Sequence, residues 1–388
     1  GGLNMKQEMI SFLSTIENEI KDLCSYLYSN PESSYNEVNS CHYICNLLSK
    51  HNFNVTERYL AIDNSFYAAK GTGYPKICFL CEYDAVENYG HITGHNALSS
   101  ISVAAALTVG HIINKIGGSV ILIGCPGEYL GGTKAIMTKQ GTFDDIDVVM
   151  ECHPDIVTCE SGSSSSITPL SVKFIGNSGL SFLNKGSYNS LDAILLTFSI
   201  LNSLSKGFPK DVEINYILSK GGNTPLLVPI ESEAKFYIRS SSTDIGELAE
   251  NKIREIIRYV SNLTHIPHSI SLYEPPNDEL ITNRTLNRLF SHNLKENGII
   301  SIDSPKNINA GLSIGIVSKK VPCIHPYISI CNDPSIKYGS QEFADSTLSE
   351  FAFSQIKKSA LALAFTSADL IEKEDLLLEI KNEFYSKK

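Results

Sequence analysis

Ile77-Cys78-Phe79-Leu80-Cys81-Glu82-Tyr83-Asp84-Ala85, continued by Gly90-His91-Ile92-Thr93-Gly94-His95-Asn96, is the stretch on which the fold turns. An apolar run of strand length stops at two carboxylates, and an Ala-rich segment with helical periodicity follows at about 97–116. Cys78 and Cys81 form a nominal C-x-x-C. On a strand these two side chains point apart, and no second such pair exists to complete a zinc cage, so both read as structural.

Working outward, helical periodicity covers 6–29 and about 36–50, and β-rich runs cover 53–59, 65–70 and 76–82. After the Ala-rich helix come a strand at 119–124, a helix near 132–139 and a strand at 146–152. Such alternation predicts a mainly parallel sheet flanked by helices. In sheets of that kind ligands bind beyond the carboxyl ends of the strands. Three polar clusters fall there: Glu82-Tyr83-Asp84, Cys125-Pro126-Gly127-Glu128-Tyr129 and Glu151-Cys152-His153.

From 168 the pattern becomes strand (168–175), helix (187–205), strands (211–218 and 230–240), helix (243–262) and strand (267–273). That β-α-β-β-α-β order predicts a ferredoxin-like insertion of about 100 residues. The α/β pattern resumes near 276 with a helix at 283–297, strands near 312–317 and 322–330, and closing helices from 347.

At 388 residues the chain exceeds what one core usually organises, and its 42% apolar content suffices for two. No run approaches 18 uninterrupted apolar residues, and no basic, apolar and small-residue leader opens the chain, so a non-exported protein is expected. Gly1-Gly2-Leu3-Asn4 before Met5 resembles the scar of a cleaved tag. Lys plus Arg total 32 against 42 Asp plus Glu, with the cations scattered, which disfavours nucleic acid as a partner. Ten cysteines without disulfide-like spacing suit a reducing cytoplasm.

The segments Glu82 to Ala85 and Gly90 to Asn96 closely resemble a signature of the zinc-dependent amidohydrolases of aminoacylase and carboxypeptidase type. These enzymes cleave N-acyl amino acids, aminobenzoyl-glutamate and small dipeptides. Their motif reads Glu-Tyr-Asp-Ala-Leu-Pro, then Gly-His-Ala-Cys-Gly-His-Asn. The resemblance continues in order through Gly124-Cys125-Pro126-Gly127-Glu128-Tyr129, the apolar strand ending in His153-Pro154, Asn189 to Ala193, Gly221 to Pro225, Phe236 to Arg239, His325-Pro326 and Glu342-Phe343-Ala344. It covers nearly the whole chain.

In that family two zinc or manganese ions are held by a Cys and a His of Cys-Gly-His, the second Glu of a Glu-Glu pair, the His of His-Pro and a late His. The first Glu takes a proton from metal-bound water. Carried across position by position, His95 and His153 remain as candidate ligands and Glu128 stands at the general-base position. Thr93, Tyr129 and Gly339 stand where Cys, Glu and the late His would be. Leu180 and Leu226 replace a His and an Asn of the lid. Thr and Tyr are poor neutral ligands for zinc, and Gly offers no side chain.

The resemblance implies a metallopeptidase-type α/β domain at 5–166 and 276–388, with an inserted ferredoxin-like βαββαβ lid and dimerisation domain at 167–275. It further implies a homodimer paired through the lid and a small amino-acid-derived substrate; the scattered cations and the lack of a long apolar run leave neither nucleic acid nor membrane as an expected partner. Glu128, Tyr129 and Asp84 are the expected catalytic residues. His91, His95, Thr93, His153, Arg239, His325 and Cys125 are expected to bind substrate, with His91 orienting Asp84 and Arg239 clamping a carboxylate. No cofactor is expected, a single residual zinc or manganese ion on His95 and His153 being the alternative. The expected activity is metal-independent acid–base chemistry on a small amide or activated acyl compound. Two alternatives stand beside it: a metal-dependent N-acyl-amino-acid amidohydrolase or dipeptidase with a rebuilt ligand set, and a non-catalytic binding or assembly protein.

Overall fold

The computed structural model describes residues 2–386. The elements up to the insertion are α1 (Gly2–Thr15), α2 (Glu17–Ser29), α3 (Val38–Lys50), β1 (Asn54–Glu57), β2 (Phe66–Thr72), β3 (Lys76–Cys81), α4 (His95–Ile116), β4 (Gly118–Gly124), α5 (Lys134–Lys139), β5 (Val148–Met150) and β6 (His153–Asp155). Then follow β7 (Ser166–Ile175), α6 (Ser190–Ser203), β8 (Glu213–Lys220), β9 (Glu231–Ser240), α7 (Thr243–Thr264) and β10 (His268–Leu272). The chain closes with α8 (Arg284–Glu296), α9 (Ile314–Ser318), β11 (Cys323–Ile324), β12 (Tyr327–Ser329), α10 (Gln341–Ser346), α11 (Glu350–Glu372) and α12 (Glu374–Ser386).

It divides into two compact units, 1–163 with 280–307 and 316–388, and 164–279 with 308–315. Residues 308–315, expected in the first unit, pack with the second, where the Ser165 amide donates to the Ala310 carbonyl at 3.0 Å.

The first unit carries a six-stranded sheet in the order β1-β2-β4-β3-β5-β11. β4, β3, β5 and β11 run parallel, while β2 pairs antiparallel with both β1 and β4. Ile77, Phe79 and Cys81 of β3 are completely buried, which explains why the strand reads as an unbroken apolar run. Each large apolar side chain removed from water in this way contributes about 1.5–3 kcal/mol. Helix α4 packs on β4, α1, α2 and α11 and is buried nearly all round, so its Ala, Ile and Val positions are core positions. Among the described helices it alone is long and apolar enough to cross a membrane, and here it is the central core helix.

In the second unit the sheet order is β10-β7-β9-β8, antiparallel throughout, with α6 and α7 packed on it. This is the ferredoxin-like topology. Asn189 and Ser242 cap α6 and α7, Asn189 through a reciprocal capping box with Asp192. The loops bearing Leu180 and Leu226 are tied together, the Ser181 amide donating to the Leu226 carbonyl at 2.9 Å.

Two expectations are corrected. The single helix at 6–29 is broken at Ile16, where ψ rises to 9°. Residues 312–317 alternate like a strand but form the short helix α9. A Cβ at Gly315 would lie 1.8 Å from the Asp278 carbonyl oxygen, so the backbone is drawn in where no side chain fits. One turn of helix meets the same apolar pattern.

Candidate active site

The carboxyl ends of the parallel strands deliver the chemistry. Glu82 to Asp84 follow β3, Cys125 to Leu130 follow β4, Glu151 and Cys152 follow β5, and His325 follows β11. The turn after β4 is shaped by Gly127, which has a φ of 74° and on which a Cβ would meet the Tyr35 ring at 2.2 Å. Its amide donates to Glu37 Oε2 at 2.7 Å.

Around this turn the ionisable groups pair with one another. Lys134, the first residue of α5, is completely buried, and its Nζ lies 2.9 Å from Glu128 Oε2 and 3.1 Å from Glu82 Oε2. His95 Nε2 lies 3.5 Å from Glu82 Oε1, while Nδ1 lies 3.0 Å from Asp84 Oδ1 and donates to the Asp84 carbonyl at 2.8 Å. Asp84 Oδ2 accepts from Ser34 Oγ at 2.7 Å and from the Tyr129 amide at 3.1 Å. His325 Nε2 lies 3.5 Å from Glu151 Oε1.

Protonation follows from these pairings. Burial pushes both Glu82 and Asp84 up, but neighbouring cations outweigh it. Lys134 and His95 hold Glu82 well below the usual carboxylate range, and His95 and Ser34 with the Tyr129 amide hold Asp84 low. Burial and the Glu82 charge push Glu151 up, so it keeps its proton. Burial alone would lower His95, yet Asp84 and Glu82 raise it to about 9. Burial takes His325 to about 3 and, with the His95 charge, lowers His153.

Aromatic rings complete the wall. Tyr129 stacks on His95 with centroids 4.9 Å apart, and its hydroxyl shares a hydrogen bond with Thr93 Oγ1. His153 lies 5.9 Å from the His95 ring, 5.6 Å from His325 and 6.2 Å from Tyr338. The structure thus brings Asp84, Thr93, His95, Glu128, Tyr129, His153 and His325 into one neighbourhood.

Three expected site residues make contacts other than the expected ones. His91 is buried with neither ring nitrogen bonded to Asp84, so it does not orient that carboxylate, which Ser34, His95 and the Tyr129 amide hold instead. Cys125 is fully buried, its thiol directed to the Ile123 carbonyl, and burial pushes it well above the usual thiol range. Arg239 lies on β9 of the second unit, with Nη1 3.2 Å from Asn215 and 3.5 Å from Glu213 on the neighbouring strand, the setting of a cross-strand pair. Sequence reasoning missed Lys134. A charge at the first position of a short helix, two residues after the double glycine Gly131-Gly132, was the available signal.

Three positions at which the resemblance implies metal ligands carry Thr93, Tyr129 and Gly339. Thr93 and Tyr129 bond each other, and burial raises the Tyr129 phenol so that it stays protonated. Both His95 nitrogens face carboxylates, and Gly339 carries no donor. Among the described residues no three His, Cys, Asp or Glu side chains converge to hold a metal ion.

No family model matches the chain. It is 30% identical over 332 residues to the Xaa-Arg dipeptidase of Mus musculus, covering 82% of this chain and 76% of that protein. It is 29% identical over 260 residues to a p-aminobenzoyl-glutamate hydrolase polypeptide of Escherichia coli, covering 58% of this chain and 52% of that protein. Its fold matches that of a Bacillus subtilis dinuclear metal-binding peptidase of the M20 family with a TM-score of 0.64 and 14% identity, over 91% of this chain and 99% of the other. The strand-end site, the inserted ferredoxin-like unit and these relatives agree: the chain belongs to the M20 family of amidohydrolases and peptidases.

Proposed function

We propose that this protein acts on a small amino-acid-derived amide or activated acyl compound without the two-metal centre, with Glu128 as the acid–base residue. The observation that carries the reading is the pair of Glu128 and Lys134 at 2.9 Å, at the general-base position, while Thr93, Tyr129 and Gly339 occupy ligand positions. Glu128 is the proton carrier, and the Tyr129 hydroxyl is the donor toward a developing oxyanion. Proton transfer supplies about 10²–10⁴-fold acceleration, well short of typical enzyme totals of about 10⁶ or more. Activated acyl groups therefore suit the site better than unactivated amides. The relatives' names direct the first substrates to Xaa-Arg dipeptides and p-aminobenzoyl-glutamate, with N-acyl amino acids and their activated esters beside them.

The test is turnover of that panel with excess chelator, by the wild type and by Glu128→Gln. Turnover that survives chelation and falls about 10²-fold or more in Glu128→Gln is expected. Activity lost to chelation and restored by zinc or manganese would instead assign a rebuilt metal site. A second reading, non-catalytic binding, is favoured by the mutual pairing of Glu82, His95, Asp84, Thr93 and Tyr129. Saturable binding of panel members with no turnover would establish it.

The proposal extends to a homodimer through the second unit, where β8 is an edge strand with Ile217 and Leu218 exposed. Light scattering should give twice the chain mass of 42.6 kDa, and Ile217→Lys with Leu218→Lys should give the single mass.

A further inference from the structure

The paired charges around the β4 turn close into a ring. Starting from the Glu128 side chain, contacts run to Lys134 at 2.9 Å, from Lys134 to Glu82 at 3.1 Å and from Glu82 to His95 at 3.5 Å. They continue from His95 to Asp84 at 3.0 Å, and from Asp84 to the backbone amide of Tyr129 at 3.1 Å. Tyr129 is the residue after Glu128, so the last contact returns to the first. Charges alternate along this path, and the turn bearing Glu128 is held through both its side chain and its backbone.

The geometry points to Lys134 as the positioning residue of the site, the buried cation that fixes the Glu128 carboxylate by closing this ring. This rests on the reading of Glu128 as the acid–base residue. Burying an ammonium completely is costly unless its partners are close and well placed, and here carboxylates from two different strand ends supply them. A lysine serving only to neutralise Glu82 would need no contact with Glu128. A merely solvated lysine would not be shielded. Placing one cation between Glu82 and Glu128 leaves the Glu128 carboxylate a single favoured orientation, which is the requirement for repeated proton transfer to a substrate held alongside.

The test combines stability with kinetics. Double-mutant cycles among Lys134→Met, Glu82→Gln and Glu128→Gln, followed by urea unfolding, measure how Lys134 is coupled to each carboxylate. Lys134→Met alone leaves two carboxylates without their cation and can fail to fold, so the pairs Lys134→Met with Glu82→Gln and Lys134→Met with Glu128→Gln carry the measurement. Coupling of Lys134 to both carboxylates is expected: each paired variant should be more stable than Lys134→Met alone, and should fold even where Lys134→Met does not. In the folded Lys134→Met with Glu82→Gln variant, kcat in the presence of chelator should fall about 10-fold or more while KM stays put. Coupling to Glu82 alone, or an unaltered kcat in that variant, overturns the assignment. Should the panel show no turnover, the acid–base reading fails while the coupling of Lys134 to Glu128 still decides the positioning claim.

Discussion

The backbone amide of Tyr129 donates to Asp84 Oδ2 across 3.1 Å, while the ring of the same tyrosine lies on His95, whose other face of contact is also Asp84. One buried carboxylate thus holds a turn, an imidazole and the Ser34 hydroxyl together. Asp84→Ala removes the acceptor of Ser34 and of the Tyr129 amide and leaves the buried His95 with only Glu82 and a backbone carbonyl as partners. A loss of about 3–5 kcal/mol is expected, as for other buried pairs broken from one side. Asp84→Asn keeps acceptors for Ser34 and the Tyr129 amide and should lose less. Denaturant unfolding of the two variants compares them directly, and equal losses would mean that the charge on Asp84, and not its acceptor oxygens, carries the effect.

Tyr129→Phe separates the two roles of that side chain. The stack on His95 survives, and only the hydrogen bond with Thr93 is lost. Net stability should change by about 1 kcal/mol, the usual value of a single hydrogen bond. If the phenol serves the oxyanion, kcat falls by far more than that stability change would suggest, with KM little altered. A kcat that tracks stability alone would leave Tyr129 as a wall residue.

All ten cysteines are free thiols; nine are buried and Cys159 is half-buried. Burial and the nearby Asp303 raise its thiol, so it should react slowly at neutral pH and faster in alkali. Titration of the native protein with a disulfide reagent should consume about one thiol, and unfolding should release the remainder. Rapid reaction of two or more in the native state would contradict the burial of Cys125 and Cys152.

The parts of this architecture legible in the sequence are those written locally. Apolar runs ending in carboxylates at Glu82, Glu128 and Glu151 reveal strand ends, and the change of pattern after residue 166 reveals the inserted unit. What the sequence hides is long-range pairing. Ser34 lies 50 positions from the carboxylate it serves, and Lys134 lies 52 from Glu82. A lone lysine after two glycines looks like a solvated loop charge until the fold closes over it. Likewise His91 carries the family's motif position, yet its buried ring makes no hydrogen bond to Asp84. Motif position reported the backbone path there and not the contact.

Glu37 supplies the pH test. It is fully buried, Oε2 accepts from the Gly127 amide, and Oε1 has no hydrogen-bond partner among the described residues. Burial pushes its carboxyl up to about 7 from 4.5, against the pull of the Gly127 amide and with the push of the Asp84 charge. Below pH 4.5 both folded and unfolded chains hold this proton, and the group costs nothing. Between 4.5 and about 7 the unfolded chain releases it first, so stability falls as pH rises; above 7 the loss is complete. The shift corresponds to roughly 3 kcal/mol. Glu37→Gln keeps an acceptor for the Gly127 amide without a titrating proton. Its urea-unfolding free energy should match the wild type near pH 4.5 and exceed it by up to about 3 kcal/mol at pH 8. The difference between the two proteins must grow in that direction, because only the wild type has a proton to lose. A gap that is constant across this range would mean that Glu37 is already ionised in the fold, with the Gly127 amide sufficient to hold the charge.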